Sequence, residues 1–213
     1  MTKIKICGLF READLPAVNE ALPDFVGLVF APSRRRIDPD LAGRIRAGLS
    51  RDIIPVGVFV NASIAEIAAL YQAGIIAIAQ LHGHEDRALI RDLKKACGVP
   101  VIKAVSVETA ADLVPWQGSP LPEGPDYLLF DQGTGGTGKA FDWGLLEPFR
   151  GFGGFCAPCF LAGGIDRATI EAALALKPFG IDVSSGAETS GFKDREKILA
   201  LVTQTRKGAI HNG

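Results

Sequence analysis

The chain has 213 residues, enough for one large domain with a sizeable core. Lys and Arg total 23 against 24 Asp and Glu, so a net charge of −1 makes no global electrostatic case for binding nucleic acid or an anionic membrane. Four scattered cysteines exclude a disulfide framework, no apolar run approaches a membrane span, and the N-terminal segment lacks a signal-peptide pattern, so a cytoplasmic protein with reduced thiols is expected.

Apolar runs read as strands at 3–8, 25–30, 53–60, 75–82, 99–107, 127–131, 159–163 and 180–185. Most are continuous rather than alternating, as in parallel strands covered on both faces. Helical patterns lie between them at 11–22, 39–49, 63–73, 85–97, 167–176 and 194–207. Asp38-Pro39 and the capping box Ser63…Glu66 are sensible helix starts. This alternation predicts a single-domain α/β fold over residues 1–213, a (β/α)8 TIM barrel. Such barrels typically take about 250 residues, so elements must be trimmed. Pro115, Gly118, Pro120, Pro122, Gly124 and Pro125 place the trimming after the fifth strand, where the helix should be shortened or missing. The alternative is a doubly wound open sheet, normally with fewer strands and a single Gly-rich phosphate loop.

A barrel concentrates its chemistry at the C-terminal strand ends. The first strand ends in Cys7-Gly8 and the sixth in Asp131, which would set a thiol and a carboxyl across the mouth from each other. Cysteine ionises near about 8.5 when unperturbed, so Cys7 needs help to act as a base. Lys5 shares its strand and, by the period of two, its face. Leu161-Ala-Gly-Gly164 and Val183-Ser-Ser-Gly186 lie after strands seven and eight, where small residues expose backbone amides that can cradle a phosphate. Arg34-Arg35-Arg36 follows strand two, and one of the three facing the mouth could grip a carboxylate.

Other motifs carry less. Gly133 to Lys139 mimics both a dinucleotide fingerprint and a P-loop, but Ala140 stands where the P-loop needs Ser or Thr, and the next strand ends in glycines rather than an acid. A mobile lid carrying Lys139 fits better. Cys156-Ala-Pro-Cys159 leads into a strand instead of opening a helix, which favours a structural role over a redox one. His82-Gly-His84 has only the distant His211 to join it, so no metal site is expected.

Taken together, Lys5-Ile-Cys-Gly8, Gly57-Val-Phe-Val-Asn61, Gln80-Leu-His-Gly83, Gly135-Gly-Thr-Gly-Lys-Ala-Phe-Asp-Trp143, Leu161-Ala-Gly-Gly164 and Asp182-Val-Ser-Ser-Gly-Ala-Glu188 resemble the phosphoribosylanthranilate isomerases of tryptophan biosynthesis over essentially the whole chain. The resemblance implies a cofactor- and metal-free Amadori rearrangement of a small anionic phosphosugar, in a barrel that is a monomer or a homodimer. It implies Cys7 as general base and Asp131 as general acid. Arg35 would clamp the carboxylate, because Arg35-Arg36-Ile37 best fits the family's arginine, with Arg34 and Arg36 as the other candidates. Gly163, Gly164, Ser184, Ser185 and Gly186 would hold the phosphate, and Gln80, His82 and Lys139 would line or cover the site. Competing readings are a histidine-pathway or bifunctional phosphosugar isomerase, a phosphate-ligand barrel without catalysis, and a dithiol redox protein.

Overall fold

Residues 1–118, 120, 123–131, 142–149 and 154–207 are described by the computed structural model. Eight parallel strands close into a barrel in sequence order: β1 (Lys3–Cys7), β2 (Phe25–Val29), β3 (Ile54–Phe59), β4 (Ile78–Leu81), β5 (Val101–Ser106), β6 (Tyr127–Asp131), β7 (Cys159–Leu161) and β8 (Gly180–Val183). Closure is made by β1 and β8, with Lys5 beside Asp182 and Ile6 beside Val183. The open-sheet alternative is thereby excluded.

Local sequence explains where the helices begin. Helix α2 (Pro39–Gly48) starts where Asp38 accepts from Leu41 N at 2.8 Å. At α3 (Ile64–Gln72) the predicted box forms in both directions: Ser63 Oγ accepts from Glu66 N, and Glu66 accepts from Ser63 N at 2.9 Å. Helix α4 (Arg87–Cys97) starts two residues later than its pattern suggested, because Asp86 caps it while Glu85 turns inward. Helix α1 (Leu15–Ala21) is preceded by a 3-10 turn, Glu12–Asp14. The remaining helices are α5 (Ile170–Ala175) and α6 (Arg195–Lys207).

The helix after β5 is missing as expected, replaced by a 3-10 segment, Ala110–Trp116, that contains Pro115. A second trimming was not foreseen: the connection after β6 also holds a 3-10 segment, Trp143–Phe149, with Pro148 inside it. In both, the missing proline N–H and the crowding of its ring disfavour a regular α-helix.

Alternation along the strands divides the apolar residues into two cores. Outward residues such as Ile4, Ile6, Val26 and Leu28 pack under the helices. Inward residues Phe25, Val56, Ile102, Leu129 and Phe160 fill the lower barrel. Phe160 makes edge contacts with Phe25, Tyr127 and Phe179, with centroids 5.4, 5.8 and 5.2 Å away, and these rings close the floor. Polar inward side chains are therefore displaced to the upper layers, at the C-terminal strand ends. No helix among the described residues is long and apolar enough to cross a membrane.

Candidate active site

The mouth begins at Cys7, the last residue of β1, which is buried against Val29, Ala31 and Val58. Gly27 lies beside it on β2, and a Cβ there would sit 2.6 Å from Cys7 Sγ, so only glycine leaves room for the thiol. Directly below, Lys5 is fully buried, and its Nζ lies 3.0 Å from Asp182 Oδ1 on β8. Burial pushes the Cys7 thiol above its ordinary value; Lys5 opposes that shift, Asp182 reinforces it and Lys193 opposes it more weakly.

Opposite, Asp131 ends β6, and its Oδ2 is 3.7 Å from His82 Nε2. Burial lowers the His82 pKa, helped by the Lys5 and Lys103 cations, so the ring is neutral at pH 7. The Gln80 amide nitrogen is 2.8 Å from His82 Nδ1. An amide nitrogen only donates, so the ring hydrogen sits on Nε2, the nitrogen that faces Asp131. Gln80 Oε1 is buried without a hydrogen-bond partner among the described residues. His82 and His84 diverge: His84 is exposed, and its N–H is held by Asn61 Oδ1. No group of three or more His, Cys, Asp or Glu among the described residues could hold a metal.

Of the three arginines, Arg35 turns inward and crosses over Gly8. Its Nε and Nη2 donate to Glu188 at 2.7 and 3.0 Å. Arg34 reaches the same carboxylate from a more exposed position, whereas Arg36 is exposed. Lys193 Nζ completes the cluster, 2.9 Å from Glu188 Oε1 and 3.0 Å from Ser184 O. Glu188 and Lys193 face each other across a short antiparallel hairpin, β9 (Glu188–Thr189) and β10 (Phe192–Lys193), inserted between β8 and α6.

Burial alone would raise the Glu188 carboxyl, but Arg35, Lys193 and Arg34 outweigh it and hold the pKa at about 2. The carboxylate's stabilising effect is fully present above its unfolded pKa and is lost as pH falls toward about 2. Glu188→Gln is therefore expected to remove about 2 to 3 kcal/mol of acid-dependent stability. Urea midpoints measured between about pH 2 and 6 check this; an equally steep loss in the variant would contradict it.

Across the mouth, Gly163 and Gly164 follow β7 with φ of +81° and +67°, a region that favours glycine. Gly186, in the turn after β8, packs so closely that a Cβ would lie 2.0 Å from Ile165 O. Gly164, Ser185 and Gly186 border a cleft that also receives Arg167 and Lys197. Asp166 lines it too, but its Oδ1 accepts from the Ala168 and Thr169 amides. The cleft thus offers two cations beside glycine-exposed backbone, a setting suited to a phosphate.

Cys7, Asp131, Arg35, Gln80, His82, Gly163, Gly164, Ser184, Ser185 and Gly186 all lie at the C-terminal side of the barrel. Lys139 and the Gly-rich segment 132–141 lie outside the described residues. Sequence reasoning passed over Asp182, Glu188 and Lys193 as site residues. The first two stood in the quoted Asp182–Glu188 motif, but Lys193 had no local signal. Lys103, inside β5, is structural: its Nζ donates to Gly83 O at 2.7 Å and pairs with Glu85 at 3.0 Å. Cys156 and Cys159 are buried at the entry to β7, and burial raises both thiols, which removes the basis for a reactive dithiol.

A closed parallel barrel with a thiol, a carboxyl and cationic side chains at one mouth has the makings of an acid/base enzyme for a small anionic substrate. Comparison with known proteins narrows the class. The model of the N-(5'-phosphoribosyl)anthranilate (PRA) isomerase family matches residues 4–204, and the chain belongs to that family. An N-(5'-phosphoribosyl)anthranilate isomerase of Endomicrobium trichonymphae is 44% identical over 207 residues, spanning 95% of this chain and 97% of that protein. The crystal structure of phosphoribosyl anthranilate isomerase from Thermotoga maritima superposes with a TM-score of 0.83 at 34% identity, covering 97% of this chain and 100% of that one. A crystal structure of the same enzyme type, in complex with reduced 1-(o-carboxyphenylamino)-1-deoxyribulose 5-phosphate, gives a TM-score of 0.81 at 32% identity, with coverage of 97% and 100%.

Proposed function

We propose that this phosphoribosylanthranilate isomerase of tryptophan biosynthesis works by general acid/base catalysis between Cys7 and Asp131. The observation that carries the reading is their placement: each ends a strand at the same open mouth, with Arg35 to one side and the Gly164–Gly186 cleft at the ends of β7 and β8. Asp131 protonates the furanose ring oxygen. The C1–O bond breaks as the anthranilate nitrogen lone pair forms the Schiff base. Cys7, as thiolate, takes the C2 proton to leave an enolamine, which gains a proton at C1 and loses the C2 hydroxyl proton to become the C2 ketone. Each transfer of this kind contributes about 10²- to 10⁴-fold.

Arg35 binds the anthranilate carboxylate, and the turns that carry Gly163, Gly164, Ser184, Ser185 and Gly186 bind the phosphate. Holding both ends of the substrate fixes C2 against the thiol. Neutral His82 donates toward Asp131, and the unpartnered Gln80 Oε1 accepts from a substrate hydroxyl. Lys139 contributes from the segment after β6, and the chemistry needs neither metal nor cofactor.

The direct test is turnover of freshly generated phosphoribosylanthranilate with EDTA present, followed by the loss of anthranilate fluorescence. Rapid metal-independent turnover is expected. Intact binding of the product analogue with no turnover would leave a binding-only barrel.

A further inference from the structure

A thiol acts as a base only when ionised, and nothing in the apolar collar of Val29, Ala31 and Val58 offers a counter-charge to a Cys7 thiolate. Water cannot solvate it fully either, since Cys7 is only 8% exposed. Without a counter-ion, a thiol in such a place stays protonated.

We propose that Lys5, held beneath the thiol by Asp182, is the counter-ion that makes Cys7 a base, the two residues acting as a positioning pair one layer below the chemistry. The proposal rests on the reading of Cys7 as base and deepens it. Alternation along β1 puts Lys5 and Cys7 on the same inward face. Lys5 is wholly buried, and its Nζ–Oδ1 contact with Asp182 at 3.0 Å joins neighbours across the β1–β8 seam. An isolated buried lysine tends to lose its proton. Here burial is opposed and outweighed by Asp182 and by Cys7 itself, so Lys5 keeps its charge. Asp182 has a second effect of opposite sign: its own carboxylate repels the thiolate. The pair thus holds the cation in place while limiting how far it favours the thiolate. On ionisation the Cys7 S–H proton passes to solvent at the mouth. The thiolate so formed, paired with the Lys5 ammonium, later accepts the C2 proton.

The other charges around Cys7 do not take this role. Lys193 is bonded to Glu188 and Ser184 O, and acts on the thiol more weakly than either Lys5 or Asp182. Arg35 is forked onto Glu188. His82, above Lys5 and Asp182, is neutral.

The test is the pH dependence of Cys7 alkylation by iodoacetamide, with Cys7 resolved from Cys97, Cys156 and Cys159 by peptide mapping. In Lys5→Met/Asp182→Asn, which strands neither charge, the alkylation midpoint is expected to rise by about one pH unit or more, a tenfold fall in rate at fixed pH below it. A rise separates this role from simple loosening, which would hydrate the thiol and lower its midpoint. An unchanged or lowered midpoint in the folded double variant overturns the proposal. Alkylation reads the Lys5–Cys7 coupling without turnover, so failure of the base assignment itself shows separately, as retained turnover in Cys7→Ala.

Discussion

Cys7→Ala is expected to lower kcat by about a thousandfold or more, with Asp131→Asn falling by a similar factor and product affinity kept in both. The argument is one of timing. Neither group gains a charge interaction with the substrate at rest; each acts when a proton moves, so its loss falls on kcat rather than on binding. The geometry around both residues favours clean substitutions. Alanine removes the thiol from a pocket that Gly27 already keeps open, and asparagine preserves the shape next to His82. Single-turnover rates with pre-formed substrate, alongside fluorescence titration of a product analogue, measure the two effects separately. Near-normal turnover in either variant would remove that residue from the mechanism. Because burial raises the Cys7 thiol, wild-type kcat/KM should climb with pH above neutrality, as the thiolate becomes more populated.

Gly8→Ala should also be damaging, without touching a reacting group. Gly8 has φ of +83°, where a Cβ costs about 1 to 2 kcal/mol, and that Cβ would lie 2.3 Å from Arg35 Cδ. The obstructed atom is mid-chain, and the guanidinium beyond it is pinned to Glu188, so Arg35 cannot step aside and keep its fork. A rise in KM of about tenfold or more is expected, with a loss of about 2 kcal/mol or more in stability. Steady-state kinetics and urea unfolding on the same preparation check both. Unchanged KM together with lost stability would mean that Arg35 does not hold the substrate.

The same backbone contact sets Arg35 apart from its two neighbours. By residue type the triplet is three equivalent cations in one turn, and only the family resemblance singled out Arg35. Tertiary structure separates them by what each can reach: Arg35 lies over Gly8 toward the mouth, Arg34 reaches the β9–β10 hairpin from outside, and Arg36 points away. The partner that orders them, Glu188, is 153 residues from Arg35 along the chain. No local pattern encodes such a pairing.

By itself the sequence determined the barrel, because buried parallel strands demand continuous apolar runs and their helices carry local caps such as Asp38 and Ser63. It also determined that Cys7 and Asp131 end strands, and that glycine pairs follow β7 and β8, since strand ends and turns are written in adjacent residues. The 3-10 segment Trp143–Phe149 after β6 was less legible: Pro148 lies inside it, but a single proline does not say how much of a turn survives. Only the tertiary structure decided what surrounds the thiol. Lys5 meets Asp182 across 177 residues because β1 closes onto β8, and Lys193 meets Glu188 because a two-strand hairpin folds back beside them. Those contacts exist only once the barrel closes, and they set the electrostatics in which Cys7 works.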